Sequence, residues 1–534
     1  MKLSEALSVL SKSSPYAVTT RGDITDPQFE GLKRHLYVTT EIEAAFKSKL
    51  DRLQPGGILF LCGSSGDGKS EILTRYDRLY TNVEFHLDAT HSFESSKTAI
   101  QTLNELFTRQ QATNLPLVVG INIGMLGNFQ QDGDKSHNKI RTATERFLIN
   151  KQIQSGDISF LDFEAFPKFS IEDTGVESSF FSTLLDRVVR DYPGNPFRAP
   201  FELSGHDAAE RKLCANYRLL RLKPVQRAIV ELLFQARVRK DQFITARMLL
   251  DFIYSILTGP GYLFDNLFAG GDNELLACVA DFDPSVTRNR QLDRFLVDHT
   301  LGITDPAYGD FCAVMREKLG VDADLSGCSI LRLFYLVRYS RLFTENPFLC
   351  PFEEVFSDNA LQGYCAAWRL HNAYDGDNDQ KQKLRHFYGD VVFAAINRFA
   401  NRNAPVLNKD EFFITTRGDY VMAAELELSV EYKKIQKTHV TDQSAFQLQI
   451  SVGDEPLAPV LVSINLLELM QAVVNGYRPN RHDKNSIVLL EDVVHQITTM
   501  ARSAKTLHLY KQGRRDEHFR LKQTADQEIR VSGL

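Results

Sequence analysis

The 534-residue chain lacks the features that mark secreted, cysteine-metal and membrane proteins. Its seven cysteines contain no C-x-x-C pair and make an odd total, which argues against a disulfide framework and a cysteine zinc site. Its longest apolar runs, such as 57–62 and 331–337, are far shorter than the roughly 20 residues that span a bilayer. The first residues form a polar amphipathic stretch rather than a signal peptide. These absences predict a soluble, cytoplasmic protein.

The chain also lacks an excess of positive charge, with 62 basic and 68 acidic residues and a net charge of −6. This balance argues against a general nucleic-acid coat but leaves room for a local basic patch. One basic stretch lies near the carboxyl end: Arg502, Lys505, Lys511, Arg514, Arg515, Arg520 and Lys522. It is typical either of a phosphate-contacting stripe or, more commonly, of a solvated or partner-binding surface.

One segment carries a specific chemical signal, the glycine-rich sequence from Gly63 to Ser70. It fits the G-x-x-x-x-G-K-[ST] pattern, in which glycines let backbone N–H groups approach phosphates closely. The apolar run before it predicts a buried strand, and Glu71-Ile72-Leu73 opens a predicted helix. The pattern therefore predicts a Walker A loop that binds ATP and Mg²⁺, with Lys69 on the β- and γ-phosphates and Ser70 on the metal. The predicted binding residues are Gly63, Ser64, Ser65, Gly66, Asp67, Gly68, Lys69, Ser70 and Glu71.

Predicted strands alternate with helices of ordinary length around this loop, which indicates an α/β fold. We expect a P-loop NTPase core of the AAA+-like or RecA-like type, with a parallel sheet and helices on both faces. A proline- and glycine-rich segment at 192–200 interrupts this alternation and marks the best domain boundary. The predicted organisation is a nucleotide-binding core at 1–195, a helical lid at 196–300, a helical middle region at 301–404 and a mixed α/β domain at 405–534.

The catalytic residues that should accompany the loop depart from the usual pattern. The strand in the expected third position ends in Asn122 rather than in an Asp-Glu pair. Two other predicted strands end in carboxylates, Asp88 and Asp162, and either could ligate Mg²⁺ directly or through water. Asn122 or Asp162 could orient the attacking water. Hydrolysis by this chain is therefore expected to be slow or to need a partner.

Arg247 is a further candidate, because it follows a Thr245 cap in the first turn of a predicted helix. A cation there opposes the helix dipole, so another interaction is expected to favour it. It reaches the γ-phosphate if the helix belongs to a lid, or it pairs with a local surface carboxylate.

A second, weaker motif combines Asp419 with Glu431-Tyr432-Lys433, the loose D…E-x-K spacing of metal-dependent nucleases. Glu431 and Lys433 would share a face only if they lie on a strand. A charged outer strand face explains this short pattern better than a nuclease site does.

Several segments together resemble a known family. They are the loop at 63–70, Asp88-Ala89-Thr90-His91-Ser92-Phe93, the segment from Val119 to Leu126, and the segment from Thr245 to Phe252. In this order, and over the whole length, the chain resembles the DNA phosphorothioation-dependent restriction proteins of the DptF (DndF) type. The resemblance implies an ATPase-type subunit of a bacterial anti-phage defence complex, working with companion subunits on DNA that lacks sulfur-modified linkages. Contact with DNA would be made through the complex.

Two functions from different classes follow from these observations. The first is an ATP-hydrolysing subunit of such a complex. The second is a nucleotide-dependent scaffold that hydrolyses little ATP and assembles a nuclease from partner chains, which the missing Asp-Glu pair favours. A small-molecule kinase is a distant third, because kinases seldom carry so much additional chain.

Overall fold

The computed structural model divides the chain into two compact units, Met1–Ser357 and Asp358–Leu534. The residues described are 1–13, 27–89, 98–173, 175–303, 305–322, 324–340, 349–357, 359–438, 440, 442–480, 483–501, 504, 506–512, 514–523 and 529–533. The unit boundary lies inside the predicted middle region 301–404, and the four-part division stays a prediction. Residues 90–97, which carry part of the family resemblance, and Arg502 and Lys505 of the basic stretch lie outside the described residues.

Within the described part of the first unit, one sheet has the strand order β2-β3-β1-β5-β4. Its strands are β1 (Ile58–Cys62), β2 (Glu84–His86), β3 (Leu117–Ile121), β4 (Gln154–Ser155) and β5 (Ile158–Asp162). All neighbouring pairs are parallel except β4 with β5. β1 and β3 are buried at every position because they are covered on both faces, as continuous apolar runs require. The predicted parallel-sheet core is confirmed.

Helices described in the first unit surround and follow this sheet. They are α1 (Leu3–Leu7), α2 (Pro27–Leu36), α3 (Glu41–Leu50), α4 (Lys69–Asp77), α5 (Ala99–Thr113), α6 (Ile123–Asp132), α7 (Asn138–Asn150), α8 (Ser179–Val189), α9 (Arg198–Ser204), α10 (Arg211–Arg221), α11 (Lys223–Arg239), α12 (Ala246–Thr258), α13 (Leu263–Asn266), α14 (Glu274–Ala280), α15 (Arg290–Thr300), α16 (Pro306–Val314), α17 (Gly327–Val337) and α18 (Cys350–Val355). A short hairpin, β6 (Ser170–Glu172) and β7 (Gly175–Glu177), follows the sheet. Of the helices, α3, α4, α5, α7, α11, α12 and α17 lie where apolar residues at helical spacing predict helices. The described chain from Arg198 to the end of the first unit is mostly helical, as predicted for the region after the boundary at 192–200.

The two faces of the sheet form separate apolar cores because alternate strand residues point to opposite sides. Phe60 and Cys62 of β1 pack with α5, α6 and α7, whereas Leu59 and Leu61 pack with α3 and α4. The Phe60 and Phe160 rings stack across neighbouring strands with their centroids 5.1 Å apart. These contacts fix the register of β1 against β5 and place the carboxyl ends of the strands at one edge.

The second unit is a mixed α/β structure, as predicted. Its helices are α19 (Asn359–Asn372), α20 (Asn378–Phe387), α21 (Ala394–Ala400), α22 (Tyr432–Ile435), α23 (Ile464–Val474) and α24 (Lys484–Ala501). Its strands are β8 (Glu411–Arg417), β9 (Tyr420–Glu425), β10 (Leu428–Val430), β11 (Phe446–Leu448), β12 (Ile450–Val452), β13 (Glu455–Pro456), β14 (Val460–Val462), β15 (Thr506–Lys511), β16 (Arg514–Gln523) and β17 (Ile529–Gly533). The largest sheet described in this unit is antiparallel, with the order β17-β16-β15-β9-β8.

The structure removes the geometric basis of the nuclease-like motif. Tyr432 begins α22, so Glu431 and Lys433 do not lie two apart on one strand. Among the described residues, no helix is both long and apolar enough to cross a membrane.

Candidate functional site

The glycine-rich loop connects the buried strand β1 to the first turn of α4. Gly66 and Gly68 have φ angles of +86° and +100°, which side chains with a Cβ rarely adopt. Gly68 is the N-cap of α4, so the loop leads directly into the amino-terminal end of the helix. Such an end presents unpaired N–H groups and a partial positive charge, which favour anions. The loop thus lies at the edge where the parallel strands end and leads into the amino terminus of α4.

The Lys69 side chain folds back over this loop. Its ammonium donates to the carbonyl oxygens of Gly63 at 3.0 Å and Ser64 at 2.7 Å. Burial lowers the pKa of Lys69, and the nearby carboxylates of Asp67 and Asp88 oppose that shift. The ammonium is therefore half-buried, rather than facing solvent as an extended lysine would, and it lies within electrostatic reach of Asp88.

The Asp67 side chain, in contrast, is directed into the protein interior. Its Oδ2 accepts the backbone N–H of Ser64 at 2.7 Å, and its Oδ1 lies 3.2 Å from the ammonium of Lys168. The Asp67 side chain is fully buried, and Lys168 is 16% exposed. The Lys168 ammonium also lies 5.7 Å from the centre of the Phe243 ring. The Asp67 side chain therefore holds the loop conformation from the protein interior and is not available to a ligand in solvent.

The remaining loop residues lie at the surface of the turn. Ser65 and Ser70 are exposed, Ser64 and Glu71 are half-buried, and Ser70 stands in the first turn of α4. The Ser70 hydroxyl is thus accessible at the helix end.

The two candidate carboxylates occupy different environments. Asp162 ends β5 beside β1, where it is 5% exposed and stands in register with Cys62. Its Oδ1 accepts the N–H of Glu164 at 3.1 Å, and its Oδ2 lies 3.6 Å from the Lys151 ammonium. One of its oxygens thus contacts the backbone of the turn after β5, and the other contacts Lys151.

Asp88 lies two residues beyond the end of β2 and is half-buried. It contributes to the pKa of Lys69, whereas Asp162 acts on Cys62, whose pKa is raised mainly by burial. Of the two carboxylates, Asp88 is therefore the one coupled to the loop lysine.

Asn122 stands at the end of β3, next to β1 in the sheet. Its Oδ1 accepts the N–H of Met125 at 2.7 Å, so the side chain caps α6. The cap holds the amide in a fixed orientation at the same sheet edge as the loop.

Arg247 is brought to the loop from the helical region, far along the chain. Its backbone N–H donates to the carbonyl of Gly66 at 3.2 Å. A Cβ added to Gly66 would lie 3.1 Å from Thr245 Oγ1 and 3.2 Å from Arg247 Cβ. Thr245 caps α12 by accepting the Met248 N–H. The start of α12 therefore packs directly on the loop.

The structure thus brings the start of α12 at Arg247 onto the loop, places Asp88 where its charge opposes the lowering of the Lys69 pKa by burial, and places Asn122 and Asp162 at the ends of the two strands that flank β1. Sequence reasoning missed Lys168, because an isolated lysine in a loop 101 residues from Asp67 carries no pattern. The chain matches no protein-family model, no curated protein and no solved structure.

The Asp67–Lys168 pair gives a stability prediction. Asp67→Ala should lower the free energy of unfolding of the first unit by roughly 1–3 kcal/mol, because it leaves the Ser64 N–H and a largely buried ammonium without their acceptor. Thermal denaturation followed by circular dichroism measures this effect. Asp157→Ala is the matched control, since Asp157 pairs with Lys139 in solvent and exposed pairs contribute little. Equal melting temperatures for the two variants would contradict the assigned role.

Proposed function

We propose that the glycine-rich loop binds ATP and that the first unit is a P-loop nucleotide-binding core. The observation that carries the proposal is the pair of left-handed glycines leading into α4, with the Lys69 ammonium lying on the loop carbonyls. Converging backbone N–H groups and a helix amino terminus form a phosphate site without further side chains. Lys69 would exchange its carbonyl partners for the β- and γ-phosphates.

The side chains around the loop fit a magnesium ion. Mg²⁺ prefers hard oxygen donors and retains several waters. The exposed hydroxyl of Ser70 stands in the first turn of α4, and Asp88 supplies a carboxylate coupled to Lys69. We assign Ser70 and Asp88 as the residues that hold the ion, Asp88 directly or through water. When bound, the ion neutralises charge on the β- and γ-phosphates.

The proposed reaction is the in-line attack of water on the γ-phosphorus, with ADP as the leaving group. Catalysis would depend on positioning and on electrostatics. Asn122 or Asp162 would orient the water, since they stand at the ends of the two strands that flank β1, each with one side-chain oxygen bound to a backbone N–H. Arg247 would stabilise charge on the γ-phosphate, since its backbone already contacts Gly66.

Calorimetric titration of the full chain with a non-hydrolysable ATP analogue, with and without Mg²⁺, tests the binding proposal. We expect one saturable site whose affinity rises with Mg²⁺. If the titration gives no binding heat and the analogue does not raise the melting temperature of the first unit, ATP binding is contradicted.

The wider role we propose is that of the ATP-dependent subunit of a phosphorothioation-dependent DNA restriction complex. It is supported by the family resemblance of the ordered segments and by the convergence of two of them, the glycine-rich loop and the start of α12, in the structure. Affinity purification of the chain from its native host should retain companion proteins, and the recovered complex should degrade DNA that lacks sulfur-modified linkages. Recovery of the chain alone, under conditions that preserve other complexes, would contradict this role.

A nucleotide-dependent scaffold is the second candidate, favoured by the end of β3. There Asn122 caps α6 where an acidic pair would serve hydrolysis. Phosphate release measured for the chain alone, then with companion proteins and DNA, separates the two functions. Turnover that appears or increases with partners supports the ATPase, whereas bound but unhydrolysed ATP in both cases supports the scaffold.

A further inference from the structure

The antiparallel sheet of the second unit brings three metal-ligand side chains together from three strands. Glu411 begins β8, His508 lies on β15 and His518 lies on β16. One ligand atom from each lies within 4.8 Å of the others. His508 Nδ1 is 2.8 Å from His518 Nε2 and 3.5 Å from Glu411 Oε1. We call these three residues the sheet triad.

Two members of the sheet triad are deeply buried. The side chains of His508 and Glu411 are 7% and 6% exposed, and that of His518 is half-buried. A buried carboxylate is rare unless it is paired or coordinates a metal. His518 is the most exposed of the three ligands.

A second layer of hydrogen bonds orients the carboxylate. The Tyr510 hydroxyl donates to the Glu411 carboxylate, 2.7 Å from Oε1 and 2.8 Å from Oε2. Asn408 contacts the same group through its backbone N–H at 2.8 Å and its side-chain amide at 3.1 Å. The Glu411 carboxylate is thus held in one orientation.

The two imidazoles are oriented as well. His508 Nε2 lies 3.3 Å from the Glu425 carboxylate, on the opposite side of the ring from the triad. A carboxylate on the distal ring nitrogen is the arrangement that supports metal-binding histidines. The His518 ring stacks on Tyr510 with their centroids 4.1 Å apart. Each ring nitrogen that faces the triad is therefore positioned by a contact on another part of its ring.

We propose that Glu411, His508 and His518 bind a divalent transition metal of the zinc class, which joins β8, β15 and β16. Two imidazoles and a carboxylate form an N₂O set that zinc accepts with a fourth position left for water. Tetrahedral bonds of roughly 2.0–2.1 Å place neighbouring ligand atoms about 3.3 Å apart, so the two histidine nitrogens need to separate by only about 0.5 Å. This proposal is independent of ATP binding, because all three ligands belong to the second unit.

The metal content of the full chain, purified without an affinity tag or chelator, tests the proposal directly. Elemental analysis should find close to one zinc per chain. After chelator treatment, Zn²⁺ added alone should rebind at one saturable site, and Co²⁺ in its place should give the visible absorption bands of a tetrahedral centre. A chain that carries no metal and shows no saturable Zn²⁺ binding would overturn the proposal without any variant.

Substitutions locate the site. His508→Gln and His518→Gln should each weaken Zn²⁺ binding at least tenfold, whereas His386→Gln should leave it unchanged, because His386 is exposed on α20. Tyr510→Phe retains all three ligands and removes only a supporting hydroxyl, so it should weaken binding by about 10–100-fold while the chain stays folded. Zn²⁺ binding unaltered in both histidine variants would place the metal elsewhere and overturn the assignment.

Discussion

Replacing Lys69 with alanine is expected to abolish ATP binding by the first unit. In the structure the ammonium lies on the carbonyls of Gly63 and Ser64, and in the proposed function it would leave them for the β- and γ-phosphates. Its removal withdraws the one side-chain cation of the loop, and we expect the dissociation constant for ATP to rise at least 100-fold, or about 2.8 kcal/mol. Calorimetric titration of the purified variant measures the change.

The fold should survive this substitution. Lys69→Ala removes two hydrogen bonds to loop carbonyls, each contributing roughly 0.5–1.5 kcal/mol, and no core packing. Lys47→Ala is the matched control, since Lys47 is an exposed lysine on α3. This variant should bind ATP as the wild type does. A folded Lys69→Ala variant that retains wild-type affinity would remove the basis for the nucleotide site.

The parts of this site that depend on residues adjacent in the chain could be predicted from the sequence. Continuous burial of β1, the left-handed glycines and the start of α4 follow from adjacent residue types, because glycine alone tolerates those φ angles easily. For Arg247 the sequence leaves two roles open, contact with a γ-phosphate from a lid helix or pairing with a surface carboxylate, because a cation at a helix amino terminus needs another favourable interaction. In the structure the backbone N–H of Arg247 contacts the Gly66 carbonyl. Its role toward a phosphate stays a prediction.

The remaining features of the site depend on contacts between residues that are far apart in the chain, which local sequence patterns do not reveal. Asp88 and Asp162 are both predicted to end strands, but in the structure Asp162 ends β5, whereas Asp88 lies two residues beyond β2. The Asp67–Lys168 pair and the sheet triad join residues far apart in the chain, so no local spacing could reveal them. The D…E-x-K interpretation needs Glu431 and Lys433 on one strand, but the chain turns into the short helix α22 after β10.

The second large effect is expected from replacing Asp88, and the same replacement at Asp162 shows whether the effect is specific to Asp88. Asp88→Asn should lower Mg²⁺-dependent ATP hydrolysis at least tenfold, a loss of about 1.4 kcal/mol of barrier stabilisation. The reason is that Asp88 is the carboxylate coupled to Lys69, and an amide has no charge to hold the metal. Phosphate release measured over a Mg²⁺ titration reports the change.

Asp162→Asn makes the same nearly isosteric change at the other candidate carboxylate and serves as the control. Its carboxylate faces Lys151 and the Glu164 N–H, so its loss should lower thermal stability more than it lowers the Mg²⁺ dependence of turnover. If hydrolysis by the chain alone is too slow to follow, Mg²⁺-dependent tightening of ATP-analogue binding provides the same comparison. The opposite result, with Asp162→Asn losing the Mg²⁺ dependence and Asp88→Asn keeping it, would move the magnesium carboxylate to the end of β5. Because β5 pairs directly with β1, that outcome would leave the loop and Lys69 in their assigned roles and change only the strand that supplies the metal ligand.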